Sequence, residues 1–221
     1  MAATGGGEGG DGTAGTGRPD RLIALSDGIF AIAMTLLVLD VSVPEALNDR
    51  AFEDAARQLW PKLAAYALSF TILAAFWRDH RQIFRHVRQL DPLLERLTLL
   101  GLGAIALLPF PTALLSEYSG HPVAVAVYAG AIAVIDVLHL ALFHTVWRRA
   151  HLRARPVDDR FGRSLTVDLG TTVLVFGVSV PVAFVSPAVA MWLWATLVPL
   201  KFWQGRHGLA AGGTDNGPGT P

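Results

Sequence analysis

An arginine, a serine and an aspartate are set into an otherwise apolar run near the start of the chain. They are Arg21, Ser26 and Asp27 of Arg21-Leu-Ile-Ala-Leu-Ser-Asp-Gly-Ile-Phe-Ala-Ile-Ala-Met-Thr-Leu-Leu-Val-Leu-Asp40. At 1.5 Å of rise per residue, a helix from Leu22 to Val43 covers roughly 33 Å, enough to cross a bilayer core. An ionised aspartate inside such a span costs on the order of 3 kcal/mol even on the lenient insertion scale, and the default reason to keep one is an ion path or a binding network. Arg21 and Asp27 are six residues apart and do not meet along one helix turn, so a salt link between them joins different helices or subunits.

A second pair, Asp136 and His139, stands three residues apart in another apolar run. At that spacing the two share a helix face and could relay protons. No third titratable group lies on the same face, so the plainer expectation is that the pair satisfies itself. With Asp27 they supply the coupling groups of an alternative reading, a proton-coupled secondary transporter. Such a carrier needs broken helices near the midplane and an internal repeat; no duplication is visible, and the prolines cluster at helix ends. Asp168 is expected to pair with an arginine of the loop that precedes it.

Other chemistry finds no purchase. The seven histidines make no His-Glu-x-x-His spacing and the chain has no cysteine, so neither a metal site nor a disulfide is expected. There is no phosphate loop, nucleophile elbow or dinucleotide fingerprint, and the sequence predicts no cofactor and no enzymatic activity.

The elements that hold these residues follow from composition. Of the 221 residues 52% are hydrophobic and only 16% charged, against about 25% charged in a soluble domain. The expected fold is all-α, a polytopic membrane protein with six crossings, over about 22–43, 59–77, 93–115, 123–147, 165–180 and 188–203. Residues 1–17 and 205–221 are Gly-rich tails expected to be disordered, flanking one membrane domain over 18–204. Asp20 is expected to cap the first helix, Gly101 and Gly103 to allow close packing in the third, and Pro109 and Pro111 to bend it. The acidic stretch 45–57 reads as a partly helical connection.

Charge segregation gives an independent count. All but three of the 18 Lys and Arg (Arg50, Arg57 and Lys62) fall in the amino-terminal flank, in loops 78–96 and 148–163, or in the carboxy-terminal flank. Six crossings put those four segments on one face, which the positive-inside rule makes cytoplasmic, with both termini there. The chain is thus expected to be a multi-pass protein of the plasma membrane. Its arginine-rich loops lie against the bilayer, where anionic lipid headgroups rather than nucleic acid are the expected partner.

On a helical wheel Arg21, Leu25, Gly28, Ile32, Thr35 and Leu39 form a seam of 4-3-4-3-4 spacing, flanked by Leu36. A seam of this kind packs copies of one helix around an axis, or packs inside a monomeric bundle; periodicity leaves both open. Ser26 and Asp27 point away from it, toward neighbouring helices.

Arg21-x-x-x-Leu25-Ser26-Asp27-Gly28 resembles the Arg-x-x-x-Phe-Ser-Asp-Gly signature of the endosomal and lysosomal potassium channel family, and of its prokaryotic branch in particular. Ser69-Phe-Thr-Ile with Phe76-Trp77-Arg-Asp-His80 and Phe84, and Leu107-Leu-Pro-Phe-Pro-Thr112, carry the likeness further. The later spans match only in pattern. The resemblance implies a six-helix subunit that assembles as a homotetramer, with the first helix lining a potassium-selective leak pore that lacks a Thr-Val-Gly-Tyr-Gly filter. It maps the constriction to Ile32, with further layers at Thr35 and Leu39 and Leu36 beside them. It also maps a supporting polar network to Arg21, Ser26, Asp27, Trp77 and His80. Two departures stand out: Leu25 replaces the signature phenylalanine, and Thr98 stands where an asparagine is expected.

Overall fold

The computed structural model describes residues 19–41, 49–153 and 159–194. The first helix, α1 (Pro19–Leu36), opens on a proline whose missing N–H costs nothing there, with Asp20 in the first turn against the positive end of the helix dipole. Asp20 therefore lies inside the helix and is not its N-cap. After Leu36 the chain tightens into a 3-10 turn, Leu37–Asp40, closed by the Val41 N–H on the Val38 carbonyl at 3.0 Å. The expected continuation to Val43 lies outside the described residues.

Helix α2 (Asp49–Phe84) has 36 residues, roughly 54 Å at α-helical rise. Its apolar part, Leu59–Phe84, is long enough to cross a membrane. The acidic stretch expected as a connection is, from Asp49 on, the first part of this one helix.

Helices α3 (Pro92–Leu107) and α4 (Pro109–Glu117) together make one crossing. The Asp91 Oδ1 accepts the Leu94 N–H at 2.7 Å, and Pro92 occupies the first helical position. The break falls where the sequence puts its bend. Pro109 has no N–H for the Ile105 carbonyl, and the Leu108 N–H takes that oxygen instead, at 3.1 Å. Gly101 is buried, and a Cβ added there would lie 4.0 Å from the Leu138 Cβ, whereas one at the exposed Gly103 would meet nothing within 4 Å among the described residues, so only the first lies at a helix contact.

Helix α5 (Pro122–Arg148) packs along α6 (Asp159–Val185) and also touches α2, α3 and α4, while α1 lies on α2 and α3. Residues 187–194 form the described start of α7. It folds back on α6: the Trp194 indole N–H donates to the Ser179 Oγ at 2.9 Å, and its ring stacks on Phe176. The chain is an all-α, multi-pass membrane protein; five of the expected crossings are long and apolar enough among the described residues, and the remainder of the sixth lies outside them.

Two apolar clusters fill the bundle. One gathers Phe30, Leu37, Phe76, Tyr128, Ile132 and Trp194; the other gathers Leu22, Phe84, Leu94, Leu142 and Leu165. The second cluster brings the start of α1, the end of α2 and the start of α3 to one end, with the end of α5 and the start of α6. Loops 85–91 and 149–153 meet there. Val87 and Arg153 form an antiparallel bridge, the Arg88 N–H donates to the Leu152 carbonyl at 2.7 Å, and Arg149 pairs with Asp91. Three of the four basic segments therefore share one end of the molecule. At the other end Lys62 pairs with Glu117 at 3.2 Å.

Candidate functional site

Helix α1 has two faces of different fate. Leu22, Ser26, Phe30 and Ala33, with Leu37 just beyond, are buried against α2 and α3. The opposite seam is bare along its whole length: Arg21, Leu25, Gly28, Ile32, Thr35 and Leu39 are all exposed, Ile32 at 60% and Leu39 at 71%. Leu36, beside the seam, is exposed as well. The Thr35 hydroxyl donates to the Ile32 carbonyl at 2.8 Å. Its proton is thus turned into the helix, and its oxygen lone pairs face outward.

The buried side of α1 is anchored to α2 by two adjacent residues. The Asp27 Oδ1 accepts the Trp77 indole N–H at 2.8 Å, and its Oδ2 accepts from Arg81 Nη1 at 3.1 Å. Arg81 also lies over the Trp77 ring, 5.4 Å from its centroid, a cation–π contact that holds both donors in place. The Ser26 Oγ donates to the Leu22 carbonyl at 2.7 Å and meets His80 Nε2 at 3.0 Å. Because the hydroxyl proton goes to the carbonyl, the imidazole must donate, which assigns the proton to Nε2. Phe30 and Phe84 enclose the His80 ring at 5.7 and 4.6 Å between centroids.

Behind His80 stands a further titratable ring. His139 of α5 meets it edge-on at 5.6 Å, stacks on Phe76 at 5.4 Å, and donates from Nδ1 to the Ile135 carbonyl at 3.0 Å. The face of α5 that carries Asp136 and His139 is therefore met by a third titratable group, His80, supplied by another helix, which a wheel of α5 alone does not show. Asp136 is fully buried. A small gap between α2, α3 and α5, with room for about one water, is lined by His80, Thr98, Gly101 and His139 among others. The Thr98 hydroxyl, where an asparagine is expected, donates to its own helix at the Leu94 carbonyl, 2.8 Å away.

The structure thus brings Ser26, Asp27, Trp77 and His80 together. Arg21 stands apart on the exposed seam and has no ion pair among the described residues. The cation on Asp27 is Arg81, which the sequence reading passed over. Its signal was present: Arg81 follows Trp77 by four residues and shares its face of α2.

Residues 21–109 match the profile of the family described as endosomal/lysosomal potassium channel TMEM175. A potassium channel of Streptomyces collinus is 37% identical over 171 residues, which span 75% of this chain and 82% of that protein. A potassium channel of Chamaesiphon minutus is 35% identical over 179 residues, 78% of this chain and 86% of the relative. The crystal structure of a lysosomal potassium-selective channel TMEM175 homolog from Chamaesiphon minutus superposes with a TM-score of 0.73 at 28% identity, covering 85% of this chain and 96% of that one.

Proposed function

Starting from a chain that belongs to the TMEM175 potassium channel family, we propose that this potassium channel is a homotetramer in which four copies of α1 turn their bare seams toward a common axis. The observation that carries the proposal is the asymmetry of α1. One subunit buries Ser26 and anchors Asp27, but leaves Ile32, Thr35, Leu36 and Leu39 uncovered. The ring of Ile32 side chains forms the narrow layer, Leu39 forms another, and Thr35 offers hydroxyl oxygens between them.

Selectivity at such a constriction comes from dehydration. An aliphatic ring returns nothing for lost water, so the ion that holds its hydration shell less tightly passes more readily. K⁺ is that ion relative to Na⁺. Trp77, Arg81 and His80 fix the angle at which α1 presents the seam, and Arg21 lies at its entrance. The permeant K⁺ needs no cofactor, and no catalytic step is involved. The coupling-carrier alternative built on Asp27, Asp136 and His139 is not adopted, since Asp27 is engaged by Trp77 and Arg81. The membrane is the plasma membrane, with the arginine-rich end of the bundle cytoplasmic.

The test is purified protein in liposomes. Wild type gives passive K⁺ flux well above Na⁺ flux without a counter-substrate or pH gradient. Ile32→Asn, which adds a polar side chain to the narrow layer, lowers the K⁺/Na⁺ ratio severalfold. An unchanged ratio removes Ile32 from the constriction.

A further inference from the structure

We propose that the docked loops at the arginine-rich end form a built site for the phosphate of an anionic phospholipid. The inference rests on the membrane placement above. Ordinary basic loops are mobile, but here the two are locked to each other. The Val87–Arg153 bridge, the Arg88 N–H on the Leu152 carbonyl and the Arg149–Asp91 pair tie the α2–α3 connection to the α5–α6 side of the bundle. A fourth contact fixes the frame from below. Gly162 lies so close to the Trp147 ring that a Cβ there would overlap it, which pins the start of α6 to the end of α5.

The same contacts decide which charges remain available. Asp91 is taken by Arg149, Asp27 by Arg81, and Asp79 lies 3.4 Å from Arg78. Arg85, Arg88, Arg96, Arg148 and Arg163 are exposed at this end and have no ion pair among the described residues. Among the residues whose side chains are described, the exposed carboxylates at this end are Asp20 and Glu95, fewer than the five arginines. His86, His144 and His151 lie near, adding no negative charge.

Depth selects the occupant. The apolar spans end at Phe84 and Arg148 and begin at Pro92 and Gly162, so these guanidinium groups sit where spans leave the hydrocarbon. That is headgroup depth, and a guanidinium fork matches a phosphodiester with two parallel hydrogen bonds. A soluble polyanion carries the same phosphate chemistry but not the acyl chains that the flanking apolar helix surfaces would receive.

Thermal unfolding of the full-length protein in neutral detergent, titrated with phosphatidylglycerol, tests the proposal without any flux measurement. The melting temperature is expected to rise with phosphatidylglycerol and not with phosphatidylcholine. Each arginine near an anionic surface contributes about a fivefold gain in apparent affinity. The triple variant Arg88→Gln, Arg148→Gln, Arg163→Gln should therefore need on the order of a hundredfold more phosphatidylglycerol for the same rise. The matching Arg→Lys triple keeps the charge but loses the fork, so it should recover only part of the response, which separates lost charge from lost fold. A Gln triple with the wild-type phosphatidylglycerol midpoint overturns the site. So does an equal rise with a short DNA duplex, which would mean general anion binding. Failure of K⁺ flux alone would count against the pore and leave the lipid response standing.

Discussion

At the scale of single residues, Asp27 joins α1 to its scaffold through two different interactions. The Trp77 indole donates to one oxygen, and the Arg81 guanidinium to the other. Asp27→Asn keeps an oxygen for the indole and loses the charge that holds Arg81; Asp27→Ala loses both. The side chains of Asp27 and Arg81 are 37% and 43% exposed, so the ion pair itself is worth at most about 1 kcal/mol. The indole bond contributes about 1 kcal/mol more. The expected order of melting temperature is wild type, then Asn, then Ala, and an Asn variant as unstable as Ala would show that charge alone matters. Ser26→Ala is the companion test. It leaves the His80 Nε2–H, which is buried, without its acceptor, at a cost of about 1–3 kcal/mol in thermal unfolding. Ser26 and Asp27 were legible as polar residues turned away from the seam because a wheel gives angles around one axis. Which cation meets Asp27 was not, since a wheel of α1 says nothing about the face that α2 presents.

At the scale of elements, the sequence was most informative where proline chemistry dictates geometry. Pro109 removes one hydrogen bond from the ladder and the break at Leu108 follows. It was less informative where polarity hides the extent of a helix: residues 49–57 carry no long apolar stripe, so they read as a partly helical connection and not as the first turns of α2 itself. The contact of Gly162 with Trp147 was equally invisible, because it joins two helices across a loop through the absence of a side chain. It gives a sharp prediction. Gly162→Ala forces a methyl into the indole ring and should lower the melting temperature by the equivalent of about 1–3 kcal/mol. Trp147→Leu removes the obstructing ring, so the double variant should be markedly more stable than the sum of the single effects. Additive losses would mean that the ring and the glycine do not share that space.

At the scale of the whole molecule, the spans are mostly uncovered: only 22–44% of each span's apolar window is buried within the chain. Exposure by itself therefore does not distinguish a pore seam from a lipid face. Ile32 on α1 is 60% exposed and Leu107 on α3 is 70% exposed, and both are aliphatic. The proposed four-fold packing of α1 would separate them, because it would place the first in a water-accessible lumen and leave the second outside it. The chain has no cysteine, so single substitutions can be read without background. With Ile32→Cys, a charged, membrane-impermeant thiol reagent should block K⁺ flux, and oxidation should link subunits into dimers because copies of the residue converge. Leu107→Cys, although slightly more exposed in one subunit, should do neither. Ala33→Cys, one residue further along α1 but buried at 1%, should also be silent, which ties the effect to one face of the helix and not to the helix as a whole. Equal block at Ile32 and Leu107, or dimers only through Leu107, would put the shared axis on α3 and take the pore away from α1.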